Sequence, residues 1–136
     1  MVQSQVFSTV LRNGDERLRE EQTMNARILH NPKCSTSRKT LDLLRENGIE
    51  PEIVQYLKTP PTRAEIAAMI EAAGIDMRTA VRKRESLYTE LGLADASDDG
   101  LLDAMAEHPI LIERPFVVTD KGTRLARPID SVREIL

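Results

Sequence analysis

A strand, a turn and a helix start follow one another directly in Ala26-Arg27-Ile28-Leu29-His30-Asn31-Pro32-Lys33-Cys34-Ser35-Thr36-Ser37. Residues 26 to 30 form a short, largely apolar run, which predicts a strand, and the Asn-Pro-Lys that follows predicts a turn. From Ser35 the apolar residues recur with a helical period until Asn47-Gly48, a pair typical of a helix end. Cys34 therefore lies at the point where a strand passes into a helix.

The rest of the chain alternates further strand and helix patterns. In the middle of the chain, the sequence predicts a strand at 52–56, a helix from the capping box Thr62–Glu65 to Gly74, and helical segments at 77–81 and 86–91. A further helix is capped by Ser97 and ended by His108-Pro109. The C-terminal part predicts a hairpin of strands 115–119 and 123–126 and a short helix opened by the capping box Ser131–Glu134. We therefore expect an α/β fold with a thioredoxin-like mixed sheet, made of a βαβ unit and a C-terminal ββα unit with an inserted helical segment.

Composition narrows the class of protein. The chain has 136 residues, an apolar fraction of 40% and a formal net charge of −3, which allow one core but supply no basic field. We therefore expect neither a nucleic acid nor a membrane surface as partner, and no apolar stretch approaches the roughly 20 residues of a membrane span. The single cysteine excludes a disulfide within one chain, which fits a cytoplasmic, reducing setting.

Residues 1–23 are expected to form a polar N-terminal tail, with the domain at 24–136. Arg12 to Glu21 is almost wholly polar, and no apolar h-region follows a basic start, so we expect no secretory signal. Met24 stands directly before the first predicted strand and is a candidate translation start. The alternative is a short ordered helix that docks on the domain.

The position of Cys34 favours a reactive thiolate. At a helix N-terminus, free backbone N–H groups and the helix dipole stabilise an anion, so the pKa of the thiol falls below its usual value of about 8.5. The same amides can hold an oxyanion. His30 and Ser37 are candidate catalytic partners that add a positive charge or hydrogen bonds. The structural alternatives are an inert buried cysteine, a hydrogen-bonded histidine at a strand end and an ordinary helix cap.

Five motifs follow one another along the chain, beginning with His30-Asn31-Pro32-Lys33-Cys34-Ser35-Thr36-Ser37-Arg38 and continuing at residues 56–63, 88–93, 108–115 and 122–128. The first resembles the H-N-P-x-C-x-x-S-R signature of the glutaredoxin-coupled arsenate reductases, which are thioredoxin-like proteins related to the Spx regulators. The ordered set covers essentially all of residues 25–136. The resemblance implies an arsenate reductase with Cys34 as its nucleophile.

The resemblance also implies that three arginines bind the oxyanion, namely Arg82, Arg114 and Arg127, with Arg84 as an alternative to Arg82. The planar fork of arginine suits the several oxygens of arsenate better than lysine does. Arg114 and Arg127 flank the predicted hairpin at opposite ends, so antiparallel strands are expected to bring them close together. Pro115 resembles the cis-proline that thioredoxin-like folds place opposite the active cysteine.

The turn Cys34–Ser37 reads C-x-x-S, so one chain cannot resolve a covalent intermediate with a second thiol of its own. The resemblance implies glutathione as co-substrate and glutaredoxin as partner, which together convert a Cys34 thiol-arsenate adduct to arsenite. We expect a monomer without a bound cofactor. We expect no metal either, because two histidines and one cysteine make no convincing zinc set.

Two other functions stay open at this point. The first is an Spx-like redox-sensing regulator that binds RNA polymerase, although many of these carry C-x-x-C and the arginine set would have no purpose there. The second is a reductase of another thiol-linked substrate.

Overall fold

The computed structural model describes residues 25–136, so the expected tail at 1–23 and Met24 lie outside the described residues. No helix of this part of the chain is long and apolar enough to cross a membrane. Its elements are the strands β1 (Ala26–Leu29), β2 (Glu52–Val54), β3 (Phe116–Thr119) and β4 (Gly122–Leu125), the α-helices α1 (Ser35–Glu46), α2 (Arg63–Ala73), α3 (Ser86–Glu90) and α4 (Asp98–Glu107), and 3-10 helices at Leu93–Asp95, Pro109–Leu111 and Ile129–Ile135.

The strands form one mixed sheet in the order β2-β1-β3-β4. β1 runs parallel to β2 and antiparallel to β3, and β3 and β4 form the C-terminal hairpin. At the centre of the sheet, Ile28 pairs with Ile53 on one side and with Val117 on the other. The predicted βαβ unit, the hairpin and the thioredoxin-like fold class are confirmed.

The two faces of the sheet are covered by different helices. Because side chains alternate along a strand, Ile28 and Leu29 of β1 enter separate clusters. Ile28 packs with residues of α1 and of the C-terminal 3-10 helix, whereas Leu29 packs with residues of α2 and α4. Burial on both faces fixes β1, and β1 in turn fixes the turn that carries Cys34.

The N-termini of α1 and α2 begin in different ways. Thr62 forms the predicted capping box with Glu65 at the start of α2, and this helix ends at Gly74, whose φ of 69° lies in the left-handed region that favours glycine. Cys34 is the N-cap of α1, and its side chain makes no capping hydrogen bond. The first turn of α1 therefore keeps backbone N–H groups available to another acceptor.

Two local predictions are wrong. The predicted helix at 77–81 is absent: residues 77–80 form turns, and Val81 makes a β-bridge to Ile112 that takes up its backbone instead. Ser131 opens no capping box. Its hydroxyl donates instead to the carbonyl of Leu125, and the last helix is a 3-10 helix that starts at Ile129. The second strand also ends at Val54, earlier than predicted.

Candidate active site around Cys34

The turn between β1 and α1 is held by its own backbone. The N–H of Cys34 donates to the carbonyl of Asn31 at 2.9 Å, and the N–H of Lys33 donates to Oδ1 of the same residue at 2.9 Å. The carbonyl of Cys34 then accepts from the N–H of Arg38 at 3.0 Å, which is the first bond of the helix. A half-buried thiol is thereby fixed at the helix N-terminus.

Backbone and side-chain donors converge on this thiol. Burial by itself raises the pKa of Cys34, but the N–H of Ser37, the hydrogen bond and charge of Arg114 and the N–H of Thr36 together outweigh it. The pKa therefore lies below its usual range, as expected for a thiol at a helix start. Nη2 of Arg127 also lies 3.9 Å from the sulfur. The site favours an anion at this position.

His30 and Ser37 form a buried pair beside the thiol. Nδ1 of His30 hydrogen-bonds the hydroxyl of Ser37 at 2.7 Å, and the N–H of Asn31 donates to the same hydroxyl at 3.1 Å. Burial, followed by the charges of Arg45 and Arg38, lowers the pKa of His30. The imidazole is therefore neutral near pH 7, and of the two roles considered for it the structure favours a hydrogen bond over a positive charge.

Arg114 and Arg127 meet at the base of the hairpin. Nε of Arg127 donates to the carbonyl of Arg114 at 2.8 Å, so the expected approach of these two residues is confirmed. The peptide bonds Arg114–Pro115 and Arg127–Pro128 are both cis. Both guanidinium groups act on the sulfur, one through the thiol pKa and one through the 3.9 Å contact.

The guanidinium of Arg114 has an unused donor. Its Nη1 donates to the hydroxyl of the fully buried Tyr56 at 3.5 Å, which is a long hydrogen bond. Its Nε is buried and has no acceptor within residues 25–136. A buried N–H without a partner is costly, so this atom would gain from an oxyanion bound beside Cys34.

Within the described residues, Arg82 makes no hydrogen bond to the thiol and binds two carboxylates instead. It is buried, and it donates to Glu85 through Nε at 3.3 Å and to Glu113 through Nη1 at 2.8 Å. The same oxygen of Glu113 is 3.3 Å from Nε of Arg127, so Arg82 and Arg127 share one carboxylate. Arg84, the alternative candidate, is exposed.

Three residues of the site were not singled out from the sequence. Asn31 shapes the turn, Tyr56 contacts Arg114, and Glu113 joins Arg82 to Arg127. Asn31 carried a signal, because a buried Asn-Pro turn before a helix commonly uses the amide as a local acceptor. Tyr56 and Glu113 lay inside the quoted motifs, but their contacts to Arg114 and Arg82 join segments 58 and 31 positions apart and have no local pattern.

A model of the ArsC family matches residues 29–135, a range that contains the whole site from His30 to Arg127. The chain belongs to the ArsC family. The predicted family is thus confirmed, and the single cysteine of this ArsC chain lies at the thiol position of the signature.

Relatives of this ArsC chain cover most of its length. The arsenate reductase of Rhizobium meliloti strain 1021 is 57% identical over 115 residues, which are 83% of this chain and 82% of that protein. The protein YfgD of Escherichia coli K12 is 45% identical over 84% of this chain and 98% of its own length. The solved arsenate reductase of Vibrio cholerae superposes with a TM-score of 0.80 at 48% identity, covering 84% and 99% of the two chains.

Proposed function

We propose that this ArsC chain is an arsenate reductase in which Cys34 attacks the arsenic of the substrate. The observation that carries the proposal is the convergence of Arg114, Arg127 and the first-turn N–H groups of α1 on a thiol whose pKa is lowered. The names of its relatives support the same reaction. An electropositive pocket around one nucleophile suits an anionic, tetrahedral substrate.

Arsenate binds, in this proposal, with its oxygens against the N-terminus of α1 and the two guanidinium groups beside the sulfur. The unpartnered Nε of Arg114 supplies one donor, and the Nη2 edge of Arg127 supplies another. Arg82, the third predicted arginine, pairs with Glu113, which also pairs with Arg127. These donors are fixed before the substrate arrives, which is the arrangement that lowers the barrier for developing charge.

The first chemical step forms a sulfur–arsenic bond. The Cys34 thiolate attacks arsenic, and one arsenate oxygen takes up protons and leaves as water, so that arsenic stays As(V). The hydrogen-bonded pair of His30 and Ser37 keeps the turn and the start of α1 in register, because the Ser37 hydroxyl binds both the His30 ring and the N–H of Asn31. The N–H of Ser37 also lowers the pKa of Cys34. His30 and Ser37 therefore support the position and the charge of the Cys34 thiolate and form no covalent bond in this step.

The second step reduces arsenic with an external thiol. A glutathione thiolate attacks the Cys34 sulfur of the adduct, the electron pair of the sulfur–arsenic bond passes to arsenic, and arsenite leaves as As(III). Cys34 and glutathione remain joined as a mixed disulfide, which glutaredoxin then reduces to restore the thiolate. An external thiol is required because the chain contains no second cysteine.

The arginine geometry also bears on the two other functions considered. A regulator that switches by an internal disulfide needs a second cysteine, which this chain lacks. It would have no use for two guanidinium groups directed at one thiol. A reductase of another thiol-linked substrate would keep the same nucleophile and differ only in the anion it accepts.

A coupled assay tests the proposal. Purified protein is mixed with arsenate, glutathione, glutaredoxin, glutathione reductase and NADPH, and NADPH oxidation is followed by absorbance. We expect oxidation that depends on arsenate, glutathione and glutaredoxin together. Arsenate-independent oxidation, or full turnover with thioredoxin and no glutathione, would contradict the proposed route.

A further inference from the structure

Glu113 stands between two of the predicted anion-binding arginines. Its Oε1 lies 2.8 Å from Nη1 of Arg82 and 3.3 Å from Nε of Arg127, and its side chain is only 16% exposed. The Glu113 carboxylate therefore adds negative charge to the site proposed to bind an oxyanion, which by itself would weaken anion binding. Its presence there therefore needs a reason.

The guanidinium of Arg127 is fixed on one side by neighbours and lies beside the thiol on the other. The single Nε–H of Arg127 donates to the carbonyl of Arg114 at 2.8 Å, and Oε1 of Glu113 lies 3.3 Å from the same nitrogen as an ion pair. Nη2 of Arg127 lies 3.9 Å from the sulfur of Cys34. A guanidinium is planar and rigid, so fixing its Nε edge also fixes the direction of its terminal nitrogens. The carboxylate of Glu113 and the carbonyl of Arg114 together direct Nη2 of Arg127 toward the nucleophile.

Glu113 is itself held from the other side. Arg82 is buried and binds it through Nη1, while Glu85 binds Nε of Arg82 at 3.3 Å. The result is a chain of charges that runs from Glu85 through Arg82 and Glu113 to Arg127. Because the charges alternate in sign along this chain, each group has a partner of opposite charge, which offsets the cost of removing it from water.

We propose that Glu113 is a positioning residue for the reaction, which holds Arg127 against Cys34 so that its free fork receives the anion. This inference rests on the proposed function for its kinetic consequence only. The placement of Arg127 beside the thiol can be measured without arsenate.

A simple charge effect makes the opposite prediction. If Glu113 only lowered the positive potential of the site, its removal would strengthen the binding of any anion near Cys34. If Glu113 positions Arg127, its removal leaves the guanidinium held by the carbonyl of Arg114 alone, so the group can turn away and anion recognition weakens. The sign of the change therefore separates the two roles.

The experiment compares two alkylating agents on the full chain. Iodoacetate carries a carboxylate next to the carbon that the thiolate attacks, whereas iodoacetamide is neutral, so the ratio of their rates reports anion recognition at Cys34 and cancels changes in thiolate fraction. For Glu113→Ala we expect this ratio to fall about tenfold, the scale of losing one well-placed charged donor. Glu113→Asp keeps the charge but loses reach, so its ratio should fall to an intermediate value.

Glu85→Ala is the matched control, because Glu85 also pairs with Arg82 but has no contact with Arg127 among the described residues. Its ratio should stay within about twofold of the wild type, the range of a partly exposed pair. In the coupled assay, Glu113→Ala should raise the KM for arsenate more than it lowers kcat. An unfolded fraction would also move the ratio toward that of a free thiol, so circular dichroism first checks that each variant is folded before the rates are compared.

A ratio that rises in Glu113→Ala and is unchanged in Glu113→Asp would overturn the positioning role in favour of the charge effect. An equal fall in Glu85→Ala would overturn it too. If Glu113→Ala does not fold, Glu113→Asp decides, since only the positioning role lowers its ratio. A wild type that never reduces arsenate, but whose ratio falls in both Glu113 variants, would refute the proposed function and support the placement of Arg127.

Discussion

The helix-start side of the site and its arginine side are built over very different distances along the chain. His30 and Ser37 are seven positions apart, and the hydrogen bonds that shape the turn between Asn31 and Arg38 span six positions or fewer. Arg127 and Cys34 are 93 positions apart, and Tyr56 and Arg114 are 58 apart. The first side exists once β1, its turn and α1 form, whereas the second exists only when the sheet is complete.

The two sides also supply different chemistry. The helix start offers neutral backbone donors, because the N–H groups of Thr36 and Ser37 lower the pKa of the Cys34 thiol. The arginine side offers permanent charge and planar forks from Arg114 and Arg127. We infer that the local side makes the nucleophile and that the long-range side selects its substrate. Variants of the arginines and of His30 separate the contributions of the two sides, whereas Cys34→Ser removes the sulfur that both sides contact.

The largest effect is expected from Cys34→Ser, which removes the nucleophile that both sides serve. Turnover should fall to background, because a serine hydroxyl is a far weaker nucleophile and leaving group than a thiolate here. Mass spectrometry of the wild type with arsenate and glutathione, without glutaredoxin, should show a glutathione-sized addition on the Cys34 peptide. The variant should show none, and glutaredoxin should remove the addition from the wild type. An adduct elsewhere in the chain would contradict the mechanism.

The next effect concerns the arginine side alone. Arg114→Lys and Arg127→Lys keep the charge but remove the planar fork, so each should lower kcat/KM for arsenate by about tenfold or more. Alkylation of Cys34 by neutral iodoacetamide should continue in both variants, because the helix start is untouched. The measurement is steady-state kinetics in the coupled assay.

Arg63→Lys is the control for this pair. Arg63 begins α2 and pairs with Asp103 at 2.6 Å and with Asp99 at 3.5 Å, on the surface. A lysine there should change kcat/KM by less than about twofold, as for most surface ion pairs. Equal small effects at all three positions would make Arg114 and Arg127 ordinary surface charges.

The same contrast explains what the sequence predicts well. The strand–turn–helix around Cys34 follows from local signals, since an apolar run, a turn and a helical period each occupy a few adjacent residues. The capping box at Thr62 is equally local and is confirmed. Ser131 shows the limit of such signals, because its hydroxyl finds the carbonyl of Leu125 on the neighbouring strand instead of the predicted helix N–H.

The arginine side could be predicted only in part. The hairpin places Arg114 beside Arg127 by simple antiparallel geometry, so their meeting follows from the sequence. No local pattern indicates that Glu113 binds Arg82, which is 31 positions away. Nor does any local pattern indicate that Val81 pairs with Ile112 in place of the predicted helix at 77–81. These contacts depend on how the inserted helical segment packs on the sheet.

A smaller effect divides the thiol pKa between the two sides. Burial raises the pKa of Cys34, and the helix N–H groups together with Arg114 lower it below the usual range. Because the thiolate is the reactive form, the alkylation rate rises as pH passes upward through this pKa. In Arg114→Gln the midpoint should move to higher pH, while Arg114→Lys should move it less. An unchanged midpoint in Arg114→Gln would mean that the helix start alone sets the pKa.

The smallest effect is expected from His30, on the helix-start side, and it concerns stability instead of activity. Burial, together with Arg45 and Arg38, lowers the pKa of His30 below its ordinary value of 6.5. The unfolded chain therefore takes up a proton near pH 6.5 that the folded chain resists, so stability is complete above that pH and declines as pH falls through 6.5 toward the folded pKa. His30→Gln keeps polar atoms near Ser37 but cannot titrate, so it should lower stability slightly at pH 7.5 and flatten the decline between pH 7.5 and 5.5. Urea unfolding followed by circular dichroism at several pH values measures both features. If the variant shows the same decline as the wild type, then the acid sensitivity belongs to other groups, and the buried His30–Ser37 pair contributes nothing to it.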